Sequence, residues 1–504
     1  MKRLATTLVA CLGLAALAGS LDAGSAIGSY QEARKVLDAG IQAMGGLDAL
    51  RDIKDVWREG AGTNYAQGQS LAPDGPLVAR AVDTRSFQDF AGNQNASLVS
   101  TSGAGIVPSK VATVAKDNGF SYNMVTKVLT PMAPAALSSS RTNMRRDPTV
   151  LLLLANERAE TLRSLGEDEI AGRRYKLVTF STAEGAQIGL AFDATTGLLS
   201  RVQTLADNAI LGDALTETVL DDYREVPVGS RKAKLAYQMT TIVAGETTQD
   251  LKYVKVTANG GVPSGLLDQP TGAETVPAAA PGSGVTLTKV GEDVYFAGGG
   301  SHHSLFVVFK DHVVVVEAPL GEERSLAVLA KVAETAPGKP VRYVVPTHYH
   351  SDHTGGLRTY IAKGVTVLTT AGNRGFVERL AKAPRTIRPD LLAREPKAAA
   401  IETFTGKKVL SDGVNTLELV DIGPNPHVTE AVVAYLPKQK AVFEADLLTI
   451  PVQGPYPPAS PGLVDFADKL VKRGLVVETI LPGHGRIGNK ADLTAALAVK
   501  AAAN

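Results

Sequence analysis

The chain reads as an α/β protein in two parts: a mainly antiparallel β (α+β) N-terminal domain and a C-terminal domain in which strands and helices alternate. Three observations carry this reading. β-type runs bounded by turn residues crowd residues 175–256. Beyond residue 285, short apolar runs alternate with helical ones, as a layered α/β sandwich requires. Between the two, residues 268–284 are rich in Pro, Gly and Ala without apolar periodicity, and read as a linker. The expected limits are a signal peptide over 1–26, an α+β domain over 27–267, the linker, and an α/β domain over 285–504. With 504 residues, 44% of them hydrophobic, such domains have adequate cores.

Met1-Lys2-Arg3 followed by the apolar stretch 4–18 has the form of an export signal, with small residues at Ala16 and Ala18 or Gly24 and Ala26 for cleavage. The stretch is too short and Ala-rich for a transmembrane helix, so the expected destination is the periplasm or the exterior, with no membrane span after cleavage. Leu8-Val9-Ala10-Cys11 partly matches a lipoprotein signal. Cys11 is the only cysteine, and cleavage beyond it leaves a chain without disulfides or thiolate ligands.

Residues 29–44 predict a helix whose apolar face is Ala33, Val36, Leu37, Gly40, Ile41 and Met44, stopped by Gly45-Gly46. A second helical piece follows at 47–53, and a third is expected over 148–162, capped by Asp147 with Pro148 at its first position. Strands are expected at 175–181, 187–193, 199–205, 216–223, 234–243 and 248–256, with turns at Glu184-Gly185 and Thr196-Gly197. This half has no histidine, and its carboxylates form no catalytic arrangement. In the second half, 305–309, 313–316 and 365–370 predict strands. Helices are expected at 322–335, with Leu326, Leu329 and Val332 on one face, and at 375–381. Residues 382–396 read as a Pro- and Arg-bearing loop, a solvated surface insertion in preference to a substrate-gating loop at the border of the site.

Chemistry concentrates in His348-Tyr349-His350-Ser351-Asp352-His353, which holds three of the eight histidines. The β-type run 341–346 precedes it and Gly355-Gly356 opens a helix after it, so a rigid strand-to-helix loop presents these groups. Imidazole and carboxylate are ligands for Zn²⁺ and similar ions. Alternate residues of an extended segment face the same way, so His348 and His350 can share one ion while Asp352 and His353 reach another. His427, Asp446 and His484 each follow a short β-type run and sit in a loop, as further donors would.

This order of residues resembles the metallo-β-lactamase-fold hydrolase superfamily over about residues 285–495. The resemblance implies an αββα sandwich with a metal site along one edge. It places His348, His350 and His427 on a first ion and Asp352, His353 and His484 on a second, with Asp446 between them. Two divalent ions, zinc by preference, would generate hydroxide from a shared water and polarise a carbonyl, with Asp352 accepting a proton. Glu317 stands where the superfamily usually carries an Asp, and Asp446 where cysteine-ligand β-lactamases carry Cys, which is closer to the hydrolase and lactonase branches. His302 and His303 follow Gly298-Gly299-Gly300 on a loop that the resemblance places at the border of the site, so that one of them is expected to touch substrate, the alternative being a surface pair at a turn.

The N-terminal half, through its strand pattern and Leu220-Asp221-Asp222-Tyr223-Arg224, resembles the periplasmic lipoprotein-carrier family. That implies a curved sheet over helices, with either a concave face for a hydrophobic ligand or an ordinary filled core. The expected function is an exported binuclear-metal hydrolase of a small-molecule ester, lactone or amide. Alternatives are an iron-dependent sulfur dioxygenase and a lipid carrier. With 52 basic and 51 acidic residues and no long single-sign block, nucleic acid is not an expected partner.

Overall fold

The computed structural model describes residues 26–103, 109–276 and 284–500. The segment read as a signal peptide, with Cys11, lies outside the described residues apart from Ala26, as do residues 277–283 of the expected linker.

Residues 55–275 build a 14-stranded sheet from two meanders. One runs antiparallel through Arg163–Ile170, Arg173–Ser181, Gln187–Asp193, Leu199–Asn208, Gly212–Val228, Arg231–Val243 and Glu246–Ala258. The last of these pairs antiparallel with Asp55–Ala66, from which the second meander leads to Val128–Pro131. Glu274–Thr275 adds a parallel partner at that edge, so part of the expected linker belongs to the sheet. The strands before residue 131 are hard to read in sequence, because Ser, Thr, Asn and charged residues fill most of their half-buried positions.

The helix Ala26–Ala43 forms as its apolar spacing predicts and buries Ala33, Val36, Leu37, Gly40 and Ile41. They meet Val178, Phe180, Ile188, Leu190 and Phe192 of the sheet in one packed cluster, so this face is a filled core. Gly40 is required at the contact: a Cβ there would lie 2.2 Å from the Phe192 ring. The expected helix over 148–162 is shorter, Leu151–Glu157 followed by the single turn Ala159–Thr161. Asp147 does not cap it. Its carboxylate is taken by the buried Arg58 guanidinium at 2.8 and 3.1 Å, and by the Thr149 amide. A buried cation outcompetes a helix end for a carboxylate.

The C-terminal half is a four-layer sandwich. Its seven-stranded sheet runs antiparallel from Thr286–Gly291 to Val313–Val316, then parallel through Val341–Val345, Thr366–Thr370 and Ile401–Phe404. The six-stranded sheet contains Thr416–Asp421, Val432–Leu436, Ala441–Glu444 and Thr479–Pro482. Alternation divides each strand between two cores. Val314 and Val316 face Leu419, Ala434 and Phe443 of the other sheet. Val313 and Val315 share a cluster with Val328, Val332 and Tyr360 of the covering helices. Layer for layer this is the αββα arrangement expected.

Two local expectations change. In the helix Glu322–Thr335 the buried positions are Arg324, Ser325, Val328 and Val332, while Leu326 is 38% exposed. Arg324 donates to the carbonyls of Ala297 and Gly298 at 2.9 and 3.0 Å, which turns the helix away from the all-apolar face. The stretch 382–396 is no free loop. Arg385 pairs with Asp207 at 2.6 Å, Thr386 Oγ1 donates to Asp213 at 2.6 Å, and the Asp213 amide donates to Pro384 O at 2.7 Å. Gly212, at φ +71, lies so near Pro384 that a side chain would clash. This segment straps the two halves together.

The Arg58–Asp147 pair yields a prediction. Burial raises the Asp147 carboxyl, but Arg58 outweighs it and holds the group below its ordinary value. Stability from such a group is present above its unfolded pKa of about 3.9 and is lost as pH falls through the folded value. Asp147→Asn should cost about 3–5 kcal/mol at neutral pH in urea melts, because it strands a buried cation. Its deficit against wild type should narrow below about pH 3.9. Equal stability at pH 7 would refute the pairing argument.

Candidate metal centre

The parallel pairs Val313–Val316 with Val341–Val345, and Ala441–Glu444 with Thr479–Pro482, end on the same edge of the sandwich and release their loops together. The first pair presents Glu317 and His348–His353, the second Asp446 and His484. The loop after Thr416–Asp421 adds His427, and the turn before Ser304–Val308 adds His302. Glu317 and Asp446 hold φ of 76° and 67°. A left-handed backbone at a carboxylate costs about 1–3 kcal/mol and persists where the surroundings enforce it.

The donor atoms fall into two groups, each with all members within 4.8 Å of one another: His348, His350, His427 and Asp446, and His302, Asp352, His353 and His484. Asp446 also joins the second group through its other oxygen. Its Oδ2 lies 3.2 Å from His427 Nε2 and 3.6 Å from His348 Nε2. Its Oδ1 lies 2.7 Å from His484 Nε2 and 3.0 Å from His353 Nε2. Asp352 Oδ2 stands 3.3 Å from His302 Nε2 and 3.6 Å from His353 Nε2.

Most of these imidazoles are held by their far nitrogen. His353 Nδ1 donates to Glu317 Oε2 at 2.5 Å, His484 Nδ1 to Ser301 O at 2.9 Å, and His350 Nε2 to Ser70 O at 2.9 Å. His348 Nδ1 meets Thr347 Oγ1 at 3.0 Å, and His302 Nδ1 meets Ser301 Oγ at 2.8 Å. Such outer contacts fix the tautomer and aim the other nitrogen. Glu317 also accepts from the Thr347 amide through Oε1 at 2.6 Å, so it braces the loop where an Asp is usual in the superfamily. His350 Nδ1 is left buried without a hydrogen-bond partner. A nitrogen lone pair so placed, among imidazoles and carboxylates, suits a divalent metal ion.

The electrostatics split the histidines. Burial holds His348 well below the ordinary histidine value, and pushes His350 down to about 4. Burial would lower His353 as well, but Glu317 and Asp446 hold it well above that value. His484 is raised against its burial by Asp446. Asp446 and Asp352 remain far below the carboxylate range despite burial: His353, His348 and His427 hold Asp446 there, and His302 and His353 hold Asp352. Buried Glu444 is pushed up to about 8, and its carboxyl accepts from the Leu447 and Leu448 amides that shape the Asp446 turn. The carboxylates attract whatever cation is present, proton or metal.

All seven residues expected as ligands are brought together. Of His302 and His303, only His302 reaches the site. His302 stands among the donors of the second group. His303 turns inward, 5% exposed, packing on Phe296 and bonding to Gly485 O at 2.8 Å. Adjacent residues entering a strand point to opposite sides, so only one of the two can reach the site. Sequence reasoning also missed Ser301, Gln69 and Ser70, since backbone carbonyls carry no sequence signature and Gln69 lies in the half without histidine.

Residues 297–484 match the family model described as Metallo-beta-lactamase superfamily. The resemblance of the C-terminal half is thereby borne out. Metallo-beta-lactamase type 2 of Elizabethkingia meningoseptica is 25% identical over 140 residues, 28% of this chain and 49% of that protein. The chain thus spans about half the length of that curated relative. Among solved structures, a metallo-beta-lactamase from Pontibacter korlensis is 24% identical over 42% of this chain and 97% of its own, with a TM-score of 0.31. The mono-zinc form of FIM-1 from Pseudomonas aeruginosa is 20% identical over 44% and 95%, with a TM-score of 0.32.

Glu317 supplies a test of the bracing. Glu317→Gln keeps the shape but removes the charge that orients His353. Zinc affinity, measured by chelator competition, should fall roughly 10–100-fold with circular dichroism unchanged. Wild-type affinity would show that Glu317 plays no part in arranging the donors.

Proposed function

We propose that the protein is an exported hydrolase that holds two divalent ions, zinc by preference, and opens an ester, lactone or amide bond, β-lactams included, in a small molecule. The observation that carries this reading is Asp446, with one oxygen turned to each donor group. His348, His350 and His427 would hold the first ion and Asp352, His353 and His484 the second, with His302 as a further donor there. When bound, such ions bring the pKa of water toward neutrality and stabilise a developing oxyanion.

The chain's own residues do the rest. Asp352, whose Oδ2 faces His302 and His353, would be the carboxylate that accepts a proton from the attacking water. Glu317 and Ser301 keep Nε2 of His353 and His484 aimed inward. A cavity of about 220 Å³ opens from His427 and Asp446, lined by Leu447, Leu448 and Leu463 together with Thr449 and Ser460, which supports a small group of mixed polarity beside the reacting bond. Two donor groups sharing a carboxylate support hydrolysis over the iron dioxygenase alternative, which needs one redox-active ion with open positions. Export is supported by the basic and apolar start of the sequence, and a small-molecule partner rather than nucleic acid by the formal charge of +1. No helix among the described residues is long and apolar enough to cross a membrane.

Protein purified without chelator should carry close to two equivalents of divalent metal by elemental analysis, with His302→Ala weakening one of them. One equivalent, unaffected by added metal, would overturn the two-ion assignment.

A screen of chromogenic esters, lactones and β-lactams, run with and without oxygen, tests the reaction. Turnover should be the same in both, and Asp352→Asn should lower it by roughly a hundredfold or more while circular dichroism stays as in wild type. Oxygen uptake with a persulfide substrate on the iron-loaded protein, lost in His348→Ala but not in His484→Ala, would replace hydrolysis with dioxygenation.

A further inference from the structure

The connection between the strands Asp55–Ala66 and Val78–Asp89 leaves the N-terminal sheet and lies against the donor cluster of the other half. Four successive residues of it make contact. The Gly68 carbonyl accepts from the Ser351 amide at 3.2 Å, and Gln69 Nε2 donates to Asp352 Oδ1 at 2.8 Å. The Ser70 carbonyl accepts from His350 Nε2 at 2.9 Å and from Tyr349 Oη at 2.5 Å. The Leu71 carbonyl accepts from the Thr429 amide at 2.7 Å, two residues past His427. Ser70 is 3% exposed, and the Asn208 amide holds Gln67 from the N-terminal side at 3.0 Å.

These contacts have chemical consequences. A carbonyl only accepts, so Ser70 puts the proton of His350 on Nε2 and leaves the Nδ1 lone pair free, which is the buried nitrogen without a partner. Gln69 occupies Oδ1 of Asp352, which leaves Oδ2 to the His302 and His353 side. One loop therefore orients a donor in each of the two groups.

We propose that residues 68–71 are a working part of the metal centre, with Ser70 setting the tautomer of His350 and Gln69 acting as a positioning residue for Asp352, so that the N-terminal half completes the site. This rests on the two-ion reading above.

The test uses the full-length chain. Gln69→Ala removes the contact to Asp352 at a half-buried position. Asp74→Ala is the control: it breaks the exposed Asp74–Arg379 pair, which joins the same loop to the same half without touching a donor. Zinc titration against a chelator should show the second equivalent weakened roughly 10–100-fold in Gln69→Ala and the first unchanged. Asp74→Ala should match wild type. The visible absorption of the cobalt(II)-loaded protein should change in Gln69→Ala alone, because only a displaced ligand alters the field at the ion. Unchanged zinc affinity and cobalt spectrum in Gln69→Ala would overturn the proposal and leave the two-ion reading standing. Equal weakening in Asp74→Ala would also overturn it, since mere packing would then explain the contact. Fewer than two equivalents in wild type would instead remove the reading beneath it.

Discussion

The Asp446 carboxylate, largely enclosed between two sets of imidazoles, is the constraint around which the C-terminal half is arranged. An anion largely removed from water needs compensation, and each oxygen obtains it from a different pair of histidines. That geometry requires loops from both sheets to meet at one edge. The parallel pairing of Ala441–Glu444 with Thr479–Pro482, and of Val313–Val316 with Val341–Val345, brings the loops there. The left-handed backbone at Asp446 and Glu317 is the local cost, and the packed strands on either side enforce it.

Around the donors lies a second layer with a different logic. Most of its members are acceptors, and most of those are main-chain carbonyls: Ser70, Ser301 and, for the inward-turned His303, Gly485. A carbonyl cannot titrate and does not depend on its side chain, so it holds an imidazole tautomer across a wide pH range. Glu317 is the charged exception. It sits against the one histidine that two carboxylates hold above its ordinary pKa.

The halves are joined at two places with different purposes. The strap at Pro384–Thr386 meets Asp207, Gly212 and Asp213 away from the donors and serves attachment. The loop at Gly68–Leu71 meets the donors themselves. Val36, Leu37 and Ile41 of the helix Ala26–Ala43 pack with Phe192 in the core beneath the sheet.

The seven principal donors were legible because imidazole is scarce in this chain and each donor follows a β-type run. The helix Ala26–Ala43 and the alternating valines of Val313–Val316 were legible because local periodicity and burial agree. The expectations that changed involve competition between distant partners. Asp147 left a helix end for Arg58, and Arg324 drew its helix round toward two carbonyls. By itself the sequence determined which side chains could bind a metal and which faces of its elements were apolar, since both depend on residue type and spacing. Only the tertiary structure decided that His302 joins the donors while His303 turns away, and that Gln69 and Ser70 reach across from the other half. Those outcomes depend on strand direction and on main-chain carbonyls brought together over some 280 residues of chain, and no local pattern encodes them.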